Sequence, residues 1–206
     1  KLSRFSTRII NNSKVSAALH EQKLGYSPEK SVIIPNGFDI GLFKPSPDAR
    51  LRLRAELGLP ENSLLIGLAG RYHPMKDHDN FLNAAACLLK SRPDVKFVLV
   101  GKDVVQANPV LRKKIEELRL EKSVHLLGNR EDMPYLTAAF DIAASSSSHG
   151  EGFPNALGEA MSCGVPYVST DVGDSMWIVG DTGLIVPPRD HVALAGAWRK
   201  LIEMGD

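Results

Sequence analysis

The chain has 206 residues, of which 43% are hydrophobic and 24% are charged, and its formal net charge is +1. This length and composition suit one well-packed core, or one domain with part of another. The near-zero charge gives no reason to expect a nucleic-acid partner or an anionic membrane. Cys87 and Cys163 lie in apolar segments, which favours buried, reduced thiols and a cytoplasmic protein. No apolar run in the sequence approaches the ~20 residues of a membrane-spanning helix.

The first part of the chain predicts two short strands with a helix between them. The strands are STRIINNS and SVIIPNGFD, and the helix lies in VSAALHEQKLGYSPEK. The following segment, FKPSPDARLRLRAELGLPENS, is rich in proline and charge and is partly helical, which is typical of a connection between domains. We therefore divide the chain into residues 1–35, a linker with a lead-in helix at residues 36–60, and a main domain at residues 61–206.

Apolar strands alternate with amphipathic helices in the main domain. The predicted strands are SLLIGLAGR, VKFVLVG, SVHLLG, FDIAASS, VPYVST and TGLIVPP, and the last helix follows Asp190 as its N-cap. Continuously apolar strands in this alternation predict a parallel sheet that is covered by helices on both faces. The predicted fold class is therefore α/β, a Rossmann-like doubly wound parallel sheet. Such sheets bind ligands at the carboxyl ends of their strands.

Two carboxylates surround a predicted helix start after the fourth strand of the main domain. In HGEGFPNALGEAM, a helix is expected from about Asn155, with Glu151 in the loop ahead of it and Glu159 in its second turn. Free N–H groups at a helix start bind phosphate oxygens, and carboxylates accept hydroxyl groups. We expect this arrangement to hold a sugar nucleotide. The alternative is that Glu159 is an exposed helix residue and Glu151 an ordinary loop charge.

A basic pair follows the first strand of the main domain. Arg71 and Lys76 lie on one strand-to-helix loop, where a planar guanidinium and a mobile ammonium can clamp a diphosphate. Two ordinary solvated charges are the alternative. Gly101–Asp103 is either a loop that approaches the ligand or a simple turn, and Gly128–Arg130 follows the third strand, where a base would lie. His149 either orients a phosphate or Glu151, or is a plain loop histidine.

Motifs of several other enzyme classes are absent from the sequence. It contains no HExxH, no Cys/His cluster, no GxGxxG fingerprint, no P-loop lysine motif and no GxSxG. Zinc hydrolase, dinucleotide oxidoreductase and serine hydrolase chemistry therefore have no support in the sequence.

Five segments carry a resemblance to one enzyme family. IIPNGFD, GRYHPMKDH, VHLLGNREDMP, FDIAASSSSHGEGFPNALGEAM and STDVGDSMWIVGDTGLIVPPRD resemble the C-terminal, donor-binding half of a glycosyltransferase of family 4. Members of this family are retaining, metal-independent transferases of GT-B fold. The stretch TDVGDSMWIVGDTG further resembles bacterial members that build capsule, exopolysaccharide or lipopolysaccharide chains.

The resemblance implies a role for each matched position. Arg71 and Lys76 would hold the donor diphosphate and stabilise the departing nucleotide. Glu151 would contact hydroxyls of the donor sugar, and we assign catalytic roles to these three residues. Glu159 would accept the ribose hydroxyls. The other donor-binding positions, in the loop, at the helix start and beside the base, are Gly152, Phe153, Asn155, Ala156, Leu157, Asn129 and Arg130.

The resemblance also implies the reaction and its partners. The expected donor is a UDP- or GDP-linked sugar, transferred without a metal or other cofactor to a glycan or lipid-linked acceptor. Residues 1–35 would be the end of an N-terminal acceptor-binding domain, so we expect the chain by itself to transfer sugar poorly or not at all. The full-length enzyme would be cytoplasmic, or associated peripherally with the inner face of the membrane. Two alternatives stay open: a sugar-nucleotide epimerase of GT-B-like fold and a non-catalytic nucleotide-binding module.

Overall fold

The computed structural model describes residues 5–205, so that residues 1–4 of the first predicted segment and Asp206 of the main domain lie outside it. The described residues form eight strands: β1 (Ile9–Asn11), β2 (Ser31–Ile33), β3 (Leu65–Ala69), β4 (Lys96–Val100), β5 (Val124–Leu126), β6 (Ile142–Ser145), β7 (Tyr167–Thr170) and β8 (Gly183–Val186). They also form the α-helices α1 (Lys14–Leu24), α2 (Pro47–Glu56), α3 (His78–Leu89), α4 (Pro109–Glu117), α5 (Met133–Ala138), α6 (Asn155–Ser162), α7 (Ser175–Val179) and α8 (His191–Gly205).

Strands β3 to β8 form one parallel sheet in the order β5-β4-β3-β6-β7-β8. Strand β3 pairs in parallel with both β4 and β6. The chain therefore builds the sheet outward from β3 on one side and then continues on the other side of β3. At such a switch point a crevice opens outside the carboxyl ends of the two neighbouring strands. The doubly wound α/β sheet predicted from the sequence is confirmed.

Helices cover both faces of this sheet and create two apolar cores. On one face, the rings of Phe81 and Phe97 meet edge to face at 5.9 Å, and Trp198 of α8 lies 5.0 Å from Phe81. On the other face, Leu53 of α2 and Leu157 of α6 are fully buried. Because the strands are covered on both sides, they appear in the sequence as continuous apolar runs.

Helix α2 is attached to the main sheet through a buried ion pair. The side chain of Arg54 is fully buried, and its guanidinium donates to the Asp141 carboxylate at 2.5 Å and to the carbonyls of Ser63 and Ala139. Asp141 also accepts the backbone N–H of Leu65 at 2.7 Å. These contacts lie where β3 and β6 begin, at the opposite end of both strands from the crevice. The division of the chain at residues 35 and 60 stays a prediction.

The N-terminal segment is a strand–helix–strand unit, as its sequence predicts. Strands β1 and β2 pair in parallel, separately from the main sheet, and α1 connects them. Ser13 caps α1 by accepting the backbone N–H of Ser16 at 3.1 Å. The start of α1 lies against the segment that precedes α7, which brings this unit close to the switch-point crevice.

Candidate functional site

Two loops meet at the switch point of the sheet. One follows β3 and contains a 3-10 turn at Pro74–Lys76, and the other follows β6 and leads to α6. The backbone N–H of Ser148 donates to the carbonyl of Met75 at 2.8 Å, and the hydroxyl of Ser146 donates to the carbonyl of Lys76 at 2.8 Å. These bonds fix one loop relative to the other and build a single site from both.

Lys76 and Glu151 form an ion pair across this crevice. The Lys76 Nζ lies 2.7 Å from Glu151 Oε1, and the two side chains are 22% and 9% exposed. The hydroxyl of Ser147 donates to the same oxygen at 2.6 Å, and Thr170 Oγ1 holds the Ser147 carbonyl at 2.7 Å. No described residue donates a hydrogen bond to the second oxygen of Glu151. The structure thus brings together two residues predicted from separate loops, and it leaves one carboxylate oxygen for another partner.

Arg71 lies at the beginning of the first loop and is exposed. Its guanidinium makes no hydrogen bond or ion pair with any residue between 5 and 205, in contrast to Lys76. The loop after β4 packs against it: Gly101 has a φ of 150°, and a Cβ there would lie 2.3 Å from the carbonyl oxygen of Gly70. The backbone N–H of Tyr72 also donates to the Lys102 carbonyl at 2.8 Å. Gly101 therefore supports the Arg71 loop through close backbone contact.

Helix α6 begins at Asn155, and its start has no side-chain cap. Pro154 occupies the N-cap position and has no side-chain group that accepts the free N–H groups of the first turn, although its carbonyl accepts the N–H of Leu157. The donors at Asn155 and Ala156 are thus available to an anion, with the partial positive charge of the helix start behind them. The predicted helix and the placement of Glu159 in its second turn are confirmed.

Glu159 is half-buried and lacks a partner among the described residues. No hydrogen bond or ion pair involves its carboxylate within residues 5–205, and burial raises its pKa. Burial also raises the pKa of the Tyr167 hydroxyl, with further contributions from Glu151 and Glu159. The charges of both carboxylates therefore reach the same buried hydroxyl. A half-buried carboxylate without a partner is costly, and a ligand that donates hydroxyl groups would remove that cost.

The two positions predicted to lie beside the base have side chains in different surroundings. Asn129 is exposed after β5, whereas the guanidinium of Arg130 is held by Asp132 at 2.7 Å and by Glu56 of α2 at 2.6 Å. Hydrogen bonding to Arg130 lowers the pKa of Asp132. The side chain of Arg130 thus connects this loop to α2.

The other predicted positions lie on the loop and the first turn of α6. Phe153 packs against Phe38, with ring centroids 6.0 Å apart, and Leu157 is fully buried in the core. Asn155 accepts a hydrogen bond from the side-chain amide of Asn36 at 2.6 Å. His149 is exposed, and its Nδ1 lies 2.9 Å from the Ser148 hydroxyl. Ala156 can offer a ligand only its backbone N–H, because its side chain is apolar, whereas the N–H of Leu157 donates to the Pro154 carbonyl at 3.1 Å.

Three residues at the site were not predicted. Ser147 lies in a run of four serines at a strand end and holds Glu151. His78 is 2% exposed, and both its ring nitrogens are buried without a hydrogen-bond partner among the described residues. Asp174 is 3% exposed, and its backbone N–H donates to the Gly152 carbonyl at 2.9 Å. In the sequence these residues look like a serine tract, a helix start and a turn, and no spacing signals their contacts.

Two structural features, a cluster of metal ligands and a membrane-spanning helix, are absent from the described residues. Among the residues that the structure describes, no three side chains of His, Cys, Asp or Glu come together as metal ligands. Across the same residues, none of the helices combines the length and the apolar character that crossing a bilayer requires.

Comparison with protein families and curated sequences identifies relatives of the chain. The sequence model of one family, described as Glycosyl transferases group 1, matches residues 63–204. The D-inositol 3-phosphate glycosyltransferase of Acidothermus cellulolyticus is 29% identical over 210 residues, which cover 96% of this chain and 46% of that enzyme. The UDP-Gal:alpha-D-GlcNAc-diphosphoundecaprenol alpha-1,3-galactosyltransferase of Escherichia coli is 31% identical over 176 residues, covering 84% and 45%. The chain spans about half the length of the curated relatives it matches.

Solved structures of similar proteins superpose on most of the chain. HepE of Anabaena in complex with UDP-glucose superposes with a TM-score of 0.89 at 33% identity, covering 99% of this chain and 56% of HepE. The glycosyltransferase WaaG has a TM-score of 0.82 at 23% identity, covering 95% and 54%, and this likeness concerns the fold alone. The architecture is that of the C-terminal half of a GT-B glycosyltransferase, and the chain belongs to the Glycosyl transferases group 1 family.

Proposed function

We propose that this chain binds the nucleotide-sugar donor of a retaining, metal-independent glycosyltransferase of family 4. The whole enzyme would transfer a sugar from a nucleoside diphosphate to a glycan or lipid-linked acceptor in bacterial polysaccharide synthesis. The observation that carries the proposal is the Lys76–Glu151 pair at the switch point. It lies beside an uncapped helix start and a half-buried carboxylate without a described partner.

The diphosphate of the donor would lie between the basic loop and the start of α6. Arg71 is free to form a bidentate contact with phosphate oxygens, and the N–H groups of Asn155 and Ala156 would bind the same group from the other side. Lys76 would neutralise the negative charge that grows on the nucleotide as the glycosidic bond breaks. Stabilising a leaving group with fixed charges in a sheltered crevice is a large catalytic contribution.

The two carboxylates would hold the hydroxyl groups of the donor at either end of the diphosphate. Glu151 presents one free oxygen for the sugar, while its other oxygen is fixed by Lys76 and Ser147. Glu159 would accept the ribose hydroxyls and gain the partners that it lacks. Neither carboxylate needs to act as a general acid or base, because the acceptor would approach the same face of the sugar from which the nucleotide leaves.

A uridine nucleotide is the favoured donor. The HepE structures contain UDP and UDP-glucose at 33–34% identity to this chain, and the Escherichia coli relative is named for UDP-Gal. A GDP-linked sugar is the second choice. The acceptor, and peripheral association with a membrane, would belong to the remainder of the enzyme.

Isothermal titration of UDP against Glu159→Ala tests the proposed ribose contact. We expect binding to weaken by about 1–3 kcal/mol, because the variant leaves the ribose hydroxyls without their acceptor. Glu203→Ala, in the exposed last turns of α8, is the matched control and should bind UDP like the wild type. Equal affinity in Glu159→Ala and the wild type would exclude the assignment.

The reaction itself is tested in the full-length enzyme. Lys76→Ala and Arg71→Ala should each abolish most sugar transfer while the protein remains folded. Epimer formation in the absence of an acceptor would instead favour the epimerase. Donor binding without transfer in the full-length protein would favour a non-catalytic nucleotide-binding module.

A further inference from the structure

A buried carboxylate outside the predicted site joins the loop of Glu151 to the N-terminal segment. Asp174 precedes α7 and is 3% exposed. Its Oδ2 accepts the backbone N–H of Lys14 at 2.6 Å, and its Oδ1 accepts that of Val15 at 3.0 Å. These are the first two residues of α1. The backbone N–H of Asp174 donates in the other direction, to the carbonyl of Gly152 at 2.9 Å.

The loop is held at van der Waals contact from two sides. Gly173 has a φ of 64°, and a Cβ at this position would lie 2.6 Å from the carbonyl oxygen of Gly152 and 2.7 Å from that of Glu151. On the opposite side, a Cβ on Gly152 would lie 2.9 Å from the Ser16 hydroxyl oxygen. On the Gly173 side two backbones touch and no side chain fits between them, and on the α1 side the Ser16 side chain lies against Gly152, so the loop is enclosed by the Asp174 segment and the start of α1.

The charge of Asp174 is balanced by a helix start. The N–H groups of the first turn carry partial positive charge, which favours a carboxylate at this position. The ammonium of Lys14 lies elsewhere, 3.8 Å from the centre of the Trp177 ring. The attachment of α1 to Asp174 therefore depends on the hydrogen bonds from two backbone N–H groups to the carboxylate.

We propose that Asp174 is a positioning residue that fixes the Glu151–Gly152 loop against the start of α1, and so sets Glu151 for the donor sugar. The inference rests on the proposed function, because it takes Glu151 as the contact to that sugar. Asp174 then affects the affinity for the sugar part of the donor more than the affinity for the nucleotide, since Arg71 lies on another loop and Glu159 lies in α6.

Three variants distinguish the hydrogen bonds between Asp174 and α1 from the other contacts of Asp174 and Lys14. Asp174→Asn keeps the shape but replaces one acceptor oxygen with an amide group. Lys14→Pro removes the N–H that meets Oδ2, and proline suits the first position of a helix. The preceding Ser13 has φ −147° and ψ 138°, which proline also favours in the residue before it. Lys14→Ala is the control, because it removes the contact with Trp177 and keeps the N–H.

Titration of UDP and of UDP-glucose against these variants gives the first measurement. We expect Asp174→Asn and Lys14→Pro to lower the preference for UDP-glucose over UDP by about tenfold, the effect of losing a charge-assisted hydrogen bond. Lys14→Ala should retain the wild-type preference. An unchanged preference in both test variants overturns the inference, and so does an equal loss of affinity for UDP, which would mean that Asp174 acts on the whole domain.

Hydrogen exchange at two amides gives a second measurement that needs no ligand: the amide of Val15, which donates to the Asp174 carboxylate, and the amide of residue 174, which donates to the Gly152 carbonyl. Exchange should be at least tenfold faster in Asp174→Asn and Lys14→Pro than in Lys14→Ala or the wild type. Equal exchange rates overturn the inference. A wild-type chain that binds neither UDP nor UDP-glucose would overturn the proposed function, while the exchange rates would still decide whether Asp174 fixes the loop.

Discussion

His78 is a buried histidine whose ring nitrogens have no hydrogen-bond partner among the described residues. It is 2% exposed at the first position of α3, and its ring lies 5.2 Å from that of Tyr72. Burial, with a further contribution from Lys76, lowers its pKa from 6.5 to about 4. The imidazole is therefore neutral in the folded protein at physiological pH. Its ring packs against Tyr72 of the basic loop and adds no positive charge next to Lys76.

This lowered pKa makes the stability of the protein depend on pH. Between pH 6.5 and about 4, the unfolded chain binds a proton at His78 that the folded chain excludes, so the free energy of unfolding decreases as the pH falls. We expect a loss of about 2 kcal/mol from this group between pH 7 and pH 5. His78→Phe keeps a ring against Tyr72 and has no titrating group, so it should lose about that much less over the same range.

Urea unfolding of both proteins at pH 7 and pH 5 measures this difference. The wild type and His78→Phe share His125, whose pKa is also lowered by burial, so its contribution cancels. Parallel losses of stability in the two proteins would show that His78 titrates normally.

Side-chain chemistry explains which site residues could be predicted. Lys76, Glu151 and Glu159 are charged groups in loops or apolar helices directly after strands, and the sheet order places such segments at one edge. Asp174 gives no comparable signal, because its partners are the backbone N–H groups of Lys14 and Val15, about 160 residues away. A contact between a side chain and distant backbone has no sequence pattern.

At the scale of elements, helix α5 and the segment after it pack closely on the central strand. Gly67 lies in the middle of β3, and a Cβ there would lie 2.2 Å from the ring of Phe140, which is 5% exposed. The glycine therefore creates the space that the Phe140 ring fills. Gly196 of α8 has the opposite surroundings, since nothing lies within 4 Å of the position of its missing Cβ.

Alanine at these two positions should change stability in opposite directions. Gly67→Ala should lower the free energy of unfolding by about 1–3 kcal/mol, because the Phe140 ring must move in a packed core. Gly196→Ala should raise it by about 0.5–1 kcal/mol, since alanine is the better helix former and meets no neighbour. Chemical denaturation of both variants gives these values. A stable Gly67→Ala would mean that the Phe140 ring moves at little cost.

Most elements of the main domain were predictable, since their apolar periodicity was strong. Helix α7 (Ser175–Val179) was not predicted, because five residues after a glycine turn are too few to show helical spacing. The 3-10 turn at Pro74–Lys76 was also not predicted, and it leads directly to Asp77, the N-cap of α3. This turn places the Lys76 ammonium within reach of Glu151, so it bears on the site.

At the scale of the whole molecule, strand order decides where the site lies. The sequence predicted a parallel sheet with ligands at its carboxyl edge, but the position of the crevice follows from β3 lying between β4 and β6. Propensity and periodicity carry no information on which strands are neighbours. The family resemblance supplied the missing step, by matching residues of the two loops to one donor site.

The attachment of α2 is the second property of the whole molecule that the sequence concealed. The segment that contains α2 is rich in charged residues, as a linker often is, yet the charged side chain of Arg54 is fully buried. Arg54 reaches across to Asp141, which also pairs with Arg50 and holds Leu65. Burial lowers the pKa of Arg54 to about 10, so the guanidinium remains charged at neutral pH.

Removing the charge of Asp141 should therefore weaken the entire fold. Asp141→Asn keeps an oxygen for the Leu65 N–H but leaves Arg54 buried without its anion, which should cost about 3 kcal/mol in urea unfolding. Asp94→Asn is the control, because Asp94 pairs with Arg92 at the surface and its side chain is 54% exposed, so its loss should cost less than about 1 kcal/mol. Arg54→Met combined with Asp141→Asn should recover part of the loss, since no charge then remains buried. Equal stabilities of Asp141→Asn and Asp94→Asn would instead mean that α2 is held by its apolar contacts alone, and that the segment from residue 36 to residue 60 behaves energetically as the linker that its composition suggests.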